Sequence, residues 1–167
     1  MAEQRLIICN TSPIINLAET GHLELFSLLQ GVVSIPPAVR DELLAKSGLF
    51  PLAAKAVDSG QFSLLAPSNA LLVRSFAASL HRGEAECLAL AMEHPGSLLI
   101  LDDLSARGHA SANQLPFTGT LGILAAAKAR GRLAALAPVL HALRTRARFW
   151  LSPGLERLIL EEAGETE

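Results

Sequence analysis

Short apolar segments alternate with longer stretches of helical spacing along most of the chain, and this alternation restricts the fold more than any other feature. The predicted strands are residues 6–9, 32–35, 62–65, 98–101 and a short strand near Phe117. Strands that are apolar throughout are typical of parallel sheets with helices covering both faces. The sequence therefore predicts an α/β protein with a mostly parallel central sheet flanked by helices.

The segments between the strands predict helices, and their first residues suggest where each begins. In the first, Ser12 is expected at the N-cap with Pro13 at the first helical position, and Ser152-Pro153 repeats this pattern near the end of the chain. A length of 167 residues suits one ordinary domain, and neither a repeat nor a linker interrupts it. We expect residues 1–167 to form a single domain, with C-terminal helices of about 134–163 packing on it.

Composition excludes several classes of protein. Half of the residues are hydrophobic and 18% are charged, a balance that is incompatible with intrinsic disorder. No apolar run reaches the roughly 18 residues that a membrane span needs, and residues 1–5 lack the core of a signal peptide. Two cysteines, Cys9 and Cys87, are too few for a disulfide scaffold. We expect a cytoplasmic protein without a membrane segment.

Charge is unevenly distributed along the chain. Between Leu104 and Leu155 there is no Asp or Glu, whereas this stretch carries seven basic residues. They are Arg107, Lys128, Arg130, Arg132, Arg144, Arg146 and Arg148. The pattern is compatible with ordinary solvated helix faces, and equally with a basic surface that binds a polyanion beside an acidic site.

Polar residues follow the predicted strands at the point where each one ends. They are Asn10-Thr11-Ser12, Asp102-Asp103 and Thr118-Gly119-Thr120. In an open parallel sheet, ligands bind beyond the carboxyl ends of the strands. These side chains are therefore expected at one edge of an otherwise apolar domain.

Four carboxylates on predicted helices are further candidates for this edge: Asp41, Glu42, Glu84 and Glu86. Glu84 has an ordinary explanation, because an acid in the first turn of a helix complements the helix dipole. Glu86 lies deeper in an apolar helix, where a buried carboxylate needs a partner. Asp41 and Glu42 point about 100° apart on their helix, and Glu42 is better placed to face the site.

Asp102-Asp103 is the most unusual of these features, because helix capping explains one aspartate but not both. Converging carboxylates either raise one another's pKa or hold a cation. A carboxylate set without a histidine or cysteine cluster favours Mg²⁺ or Mn²⁺ over Zn²⁺. Such an ion is a common device for phosphoryl transfer, and the basic segment favours a nucleic-acid phosphodiester as the substrate.

Five motifs occur in the order in which they occur in PIN-domain proteins, and together they cover nearly the whole chain. They are Asn10-Thr11-Ser12-Pro13-Ile14-Ile15, Ile35-Pro36-Pro37-Ala38-Val39 with Glu42-Leu43, Gly83-Glu84-Ala85-Glu86, Leu101-Asp102-Asp103 and Thr118-Gly119-Thr120-Leu121-Gly122. The chain resembles this family, which has the fold of VapC-type ribonucleases, and is most similar to a PIN-like branch related to those toxins. The segment from Phe149 to Pro153 also resembles that branch.

The resemblance implies a three-layer α/β/α domain and a Mg²⁺- or Mn²⁺-dependent endoribonuclease. Its partners would be RNA, an antitoxin protein and a second copy of the chain. The catalytic residues it implies are Asn10, Glu42, Glu86, Asp103 and Thr118. The implied metal ligands are Asn10, Glu86, Asp102 and Asp103. Substrate contacts would come from Ser12, Arg107 and Thr120.

Asn10 departs from the family pattern, because active PIN nucleases typically carry Asp at the end of the first strand. An amide oxygen can still bind a metal ion but brings no charge. The sequence therefore leaves two functions open. One is a metal-dependent ribonuclease, including the toxin of a toxin–antitoxin pair, and the other is a PIN-like module that binds RNA or protein without cutting.

Overall fold

The computed structural model describes residues 4–166, and its centre is one five-stranded sheet in which every strand is parallel to its neighbours. The strands lie in the order β3-β2-β1-β4-β5. Their bounds are β1 Arg5–Cys9, β2 Gly31–Ile35, β3 Ser63–Leu64, β4 Leu98–Ile100 and β5 Phe117–Thr118. The predicted α/β class and the parallel sheet are confirmed.

The strand order reverses direction between β1 and β4. The chain moves outward from β1 through β2 to β3, then returns to pair β4 with the other side of β1. Because crossovers between parallel strands are right-handed, this reversal sends the connecting helices to both faces of the sheet. It also opens a crevice at the carboxyl ends of β1 and β4, where ligands bind in folds of this kind.

Nine α-helices and one 3₁₀ helix surround the sheet within residues 4–166. The α-helices are α1 Thr11–Glu19, α2 Pro37–Ala45, α3 Pro51–Asp58, α4 Ala70–Ala77, α5 Arg82–Glu93, α6 Leu104–Ala112, α7 Thr120–Ala129, α8 Ala137–Arg146 and α9 Pro153–Glu162. The 3₁₀ helix is Leu23–Leu29. Helix α5 packs on both β1 and β4, which places its first turn above the crevice.

The predicted start of the first helix was wrong. Helix α1 begins at Thr11, and Asn10 is the N-cap residue, although its side chain makes no capping hydrogen bond. The Asn10 backbone N–H donates to the Ile100 carbonyl at 3.1 Å, so the sheet continues through Asn10 and the helix starts immediately afterwards. Pro13 is tolerated because backbone N–H groups in the first helical turn have no partner within the helix.

The same prediction was correct at the last helix. Ser152 is the N-cap of α9 and its hydroxyl oxygen accepts a hydrogen bond from the Leu155 N–H at 3.2 Å, with Pro153 at the first helical position. The two Ser-Pro pairs therefore differ in position because only the first one directly follows a paired strand.

Apolar residues from most of the elements form one continuous core. Ile7, Ile8 and Cys9 of β1 are completely buried, as are Cys87 and Leu88 of α5. Both cysteines are free, and burial raises the pKa of each thiol well above its ordinary value. Among the described residues, no helix combines the length and apolar character needed to cross a membrane.

Candidate functional site

Asn10 stands at the carboxyl end of β1, beside the end of β4. Cys9 pairs with Ile100 in the sheet register, so Asn10 and Leu101 leave the sheet side by side. The Asn10 side chain is 5% exposed. Because its carboxamide does not cap α1, the side chain is free to face the crevice.

Gly83, near the start of α5, marks the point where Asn10 and Glu42 converge. A Cβ atom at Gly83 would lie 3.5 Å from Asn10 Oδ1, 3.4 Å from Glu42 Oε2 and 3.3 Å from a methyl group of Val39. Two atoms that both lie within 3.5 Å of one point are no more than about 7 Å apart. The absence of a side chain at Gly83 therefore lets α5 begin close above these two oxygen atoms.

Glu42 is held in the crevice by neighbours from two helices. Its Oε2 accepts a hydrogen bond from the Thr11 hydroxyl at 2.7 Å, and its Oε1 accepts one from Lys46 Nζ at 2.6 Å. The adjacent Asp41 is exposed and pairs with Arg40 instead. The preference for Glu42 over Asp41 agrees with this geometry.

Glu84 is the second carboxylate that reaches the crevice, and it is 9% exposed. Its Oε2 accepts a hydrogen bond from the His81 backbone N–H at 3.1 Å, forming a capping box at the start of α5. Burial raises the pKa of Glu84, and the nearby carboxylates of Asp103 and Glu42 raise it further. Glu84 therefore lies between two other acids, in a site where a full set of negative charges is unfavourable.

The adjacent aspartates at the end of β4 have different tasks. Asp103 is exposed and caps α6, because its Oδ1 accepts from the Ala106 N–H at 2.9 Å. Asp102 accepts from the Thr120 N–H at 2.8 Å and from the Thr120 hydroxyl at 2.6 Å, and also from Asn16 Nδ2 at 2.9 Å. Asp102 thus ties the β5–α7 connection to α1, which leaves Asp103 as the aspartate nearer to Glu84.

Glu86 is not brought together with these acids. Its Oε2 accepts from the Ala38 N–H at 2.9 Å, and its Oε1 pairs with Arg82 Nε at 3.0 Å. Both oxygens are therefore engaged at the first turn of α2, and this explains how a carboxylate that is 4% exposed is accommodated. The sequence interpretation favoured Glu86 over Glu84, whereas the structure places Glu84 in the crevice.

Rotation around the axis of α5 explains this exchange. Residues two apart in a helix point about 200° apart and differ by only about 3 Å along its axis. Glu84, in the first turn, therefore faces the crevice, whereas Glu86 faces the first turn of α2. The position of an acid relative to the helix start was the signal that could have identified Glu84.

The remaining predicted residues lie around the crevice but not at its centre. Thr120 is fully buried in the Asp102 network, Ser12 is exposed and Thr118 is half-buried. Arg107 donates from Nε to the Leu101 carbonyl at 2.7 Å and lies over the Phe117 ring, with its guanidinium carbon 5.6 Å from the ring centre. Its guanidinium occupies the space that a side chain at Gly119 would need.

The donor set at the crevice fits a hard divalent cation by its chemistry. Asn10, Glu42, Glu84 and Asp103 offer oxygen atoms only. Burial is the main cause of the raised pKa of Glu84, and the negative charges of Asp103 and Glu42, which a cation would offset, raise it further. Within residues 4–166, no three His, Cys, Asp or Glu groups stand close enough to form a ready-made metal site. Glu84 and Asp103 now accept capping hydrogen bonds, so binding an ion would require them to turn toward it.

Comparison with known proteins adds an independent finding. The family model DUF3368, described as a PIN domain, matches residues 6–165. This range contains every residue of the crevice described above. No curated protein matches the chain.

Proposed function

The chain belongs to the DUF3368 family of PIN domains, and on this premise we propose that it is a Mg²⁺- or Mn²⁺-dependent endoribonuclease. The observation that carries the proposal is the approach of the Asn10 and Glu42 oxygens to one point at Gly83, beside Glu84, whose pKa is also raised by Asp103 and Glu42. PIN domains have a nuclease-like fold, and this is the edge of the sheet where such a fold binds its ligands.

In this proposal the four residues together hold the cation. When bound, a divalent cation supplies an activated water molecule and stabilises charge on the phosphate that is cut. Glu42 is positioned by the Thr11 hydroxyl, and Lys46 partly balances its charge. Asp102 has a positioning role in this proposal. It accepts hydrogen bonds from Thr120, and these hold the β5–α7 connection, which includes Thr118, beside the crevice.

The raised pKa of Glu84 gives this residue a second task. Burial, and then the neighbouring acids, raise the pKa of its carboxyl group. Protons would therefore compete with a cation for this carboxylate. Cation affinity is therefore expected to rise with pH until Glu84 is deprotonated.

Asn10 supports a second candidate, a PIN domain that binds RNA without cutting it. The carboxamide contributes an oxygen but no charge, so the site carries one negative charge fewer than a site with Asp at this position. A lower charge weakens binding of Mg²⁺, which keeps its water shell unless several strong ligands replace it. Under this alternative the acidic crevice remains as a structural remnant of the fold.

Cleavage of a mixed pool of single-stranded RNA during a Mn²⁺ titration distinguishes the two candidates. Asp103→Asn is a suitable loss-of-function variant, because the Asn oxygen still accepts the N–H of Ala106 and preserves the cap of α6. Asp41→Asn is the matched control, since Asp41 is exposed and pairs only with its neighbour Arg40. A nuclease would show metal-dependent cleavage that Asp103→Asn abolishes and Asp41→Asn retains.

Other outcomes point elsewhere. No cleavage by the natural sequence, with cleavage gained in Asn10→Asp, would favour the binding module. No metal binding and no effect of either substitution would refute the assignment of the site.

Three further parts of the proposal follow from the family. A toxin role predicts that induced expression in bacteria halts growth and that Asp103→Asn relieves the arrest. An antitoxin partner predicts a second protein that co-purifies with the chain and suppresses cleavage. A homodimer, which the mean hydropathy of +0.37 favours, predicts twice the monomer mass in analytical ultracentrifugation. The proposed cellular location is the cytoplasm.

A further inference from the structure

A groove of about 470 Å³ opens beside the acidic crevice. It extends from Asp102 and Arg107, at the end of β4, past Phe117 to Trp150 and Leu155. Asp103, the next residue after Asp102, belongs to the crevice. A linear polymer bound in this groove would therefore pass directly by the proposed cation site.

Trp150 dominates the outer end of the groove. It is 81% exposed, although tryptophan is among the side chains that gain most from burial. The segment that carries it is nevertheless well held. The Phe149 N–H donates to the Leu143 carbonyl at 3.0 Å, and Leu151 on the other side is buried in the core. The indole is thus presented to solvent by an anchored loop.

Arg148 completes this arrangement with a positive charge. It has a φ angle of 57°, a left-handed conformation that is uncommon for a residue with a branched or long side chain. Arg148 and Trp150 border a second hollow of about 720 Å³ that adjoins the groove. Arg144 also borders this hollow, but it pairs with Glu156, so Arg148 is the better placed cation.

The electrostatics of the groove favour a polyanion. Residues 104–155 contain no acid. Among the described residues, Asp102 is the one acid that lines the groove, and it accepts hydrogen bonds from Thr120 and Asn16. Glu156, which lines the adjoining hollow, pairs with Arg144. An exposed aromatic face next to an arginine is the pair of features that single-stranded nucleic acids use, because bases stack on the ring while phosphates meet the charge. Double-stranded RNA offers no unstacked base to such a ring.

We propose that Trp150 stacks on an unpaired base of single-stranded RNA while Arg148 contacts an adjacent phosphate, so that the strand is led along the groove to the acidic crevice. This inference rests on the proposed function, since it names how that same site would receive its substrate. A second copy of the chain could also cover an exposed tryptophan, and this is an outcome that the test distinguishes.

Trp150 is the only tryptophan and the chain has no tyrosine, so tryptophan fluorescence reports on this position alone. A short oligouridylate RNA is titrated into the full-length protein in EDTA, where no cleavage occurs. We expect saturable quenching by the single strand and none by a duplex of the same length. In a parallel anisotropy assay with labelled RNA, Trp150→Leu weakens binding about tenfold, and Trp150→Phe recovers most of the loss.

Arg148→Gln is expected to weaken binding and to lower the slope of log affinity against log salt by about one. Arg74→Gln is the matched control, because Arg74 is exposed on α4 and lines neither hollow of the Trp150 loop. Unchanged RNA affinity in Trp150→Leu would overturn the inference. So would a fluorescence change that depends on protein concentration alone, which would identify Trp150 as an interface between copies.

The binding assay separates this inference from the proposed function. RNA binding through Trp150 without any Mn²⁺-dependent cleavage would support the groove and refute the nuclease. If Asp103→Asn abolishes cleavage while Trp150→Leu binds RNA normally, the nuclease is supported and the role of Trp150 is refuted.

Discussion

Replacing Asn10 by Asp tests whether the carboxylates really share one crevice. The new charge would lie within about 7 Å of the Glu42 carboxylate, because both oxygens approach the same point above Gly83. At an effective dielectric constant of about 20, two charges at that distance repel by about 2 kcal/mol. Partial exposure of Glu42 and its pairing with Lys46 reduce this figure, so we expect a loss of about 1–2 kcal/mol in the free energy of unfolding.

This loss should depend on pH in a defined direction. Repulsion raises the pKa of the new Asp in the folded state, and the pKa of Glu84 is already raised by burial and by its acidic neighbours. The folded state therefore keeps protons that the unfolded chain has released, and the destabilisation grows as pH rises above the unfolded value of about 4. The difference between Asn10→Asp and the natural sequence should vanish at low pH.

Urea unfolding at several pH values, with and without Mn²⁺, measures both effects. An ion present at about 100 times its dissociation constant adds about 2.7 kcal/mol to the stability, so Mn²⁺ should restore Asn10→Asp more than it stabilises the natural sequence. Gln61→Glu is the control, since it adds one negative charge at an exposed residue in the loop before β3. Equal stability of Asn10→Asp and the natural sequence at neutral pH, with equal responses to Mn²⁺, would refute the convergence.

Three further predictions check other parts of the structure. Gly119→Ala is expected to lose about 1–3 kcal/mol of stability, because its Cβ would lie 2.8 Å from the Leu101 carbonyl oxygen and would also displace the Arg107 guanidinium. Gly108→Ala, with open space at its Cβ, should be stabilised by up to about 1 kcal/mol. Similar melting temperatures of the two variants would contradict this. Glu84→Gln should be more stable than the natural sequence at neutral pH without metal. The raised folded-state pKa of Glu84 means that the natural protein loses stability as pH rises. Equal melting temperatures of the two proteins at every pH would contradict this. The backbone N–H groups of Leu136 and Ala137 lower the pKa of Glu165 to about 2. Ionised Glu165 therefore stabilises the folded state above about pH 4.5, and this stability is lost as pH falls through 2. An acid titration of Glu165→Gln should lack this loss of stability.

The fold was largely predictable because its signals are local. A strand such as β1 buries consecutive apolar side chains, and this pattern can be recognised without knowing its neighbours. The N-cap at Ser152 was equally local, since it depends on one hydroxyl and one N–H three residues later. The cap predicted at Ser12 failed because pairing between Asn10 and Ile100, which are far apart in sequence, decided where β1 ends and α1 begins.

The sequence predicted which chemical groups form the candidate site better than it predicted which residues supply them. Asn10, Glu42 and Asp103 follow from their positions just beyond strands or in the helices that succeed them. Glu84 and Glu86 occur in one short motif, and spacing alone did not show which of them faces the crevice. The contacts of Glu86 with Ala38 and Arg82 belong to the packing of α5 against α2, which sequence patterns do not describe.

The linear order of residues was enough to determine a parallel α/β sheet, the edge of that sheet where acids gather and the family to which the chain belongs. Each of these depends on periodicity or on motifs within a few residues. Three-dimensional packing alone decided that Glu84 replaces Glu86, that Asp102 and Asp103 separate into a bracing and a capping residue, and that Trp150 remains exposed beside them. These outcomes depend on which backbone N–H groups and side chains of distant segments lie nearby, because a carboxylate orients toward the hydrogen-bond donors and cations that it can contact.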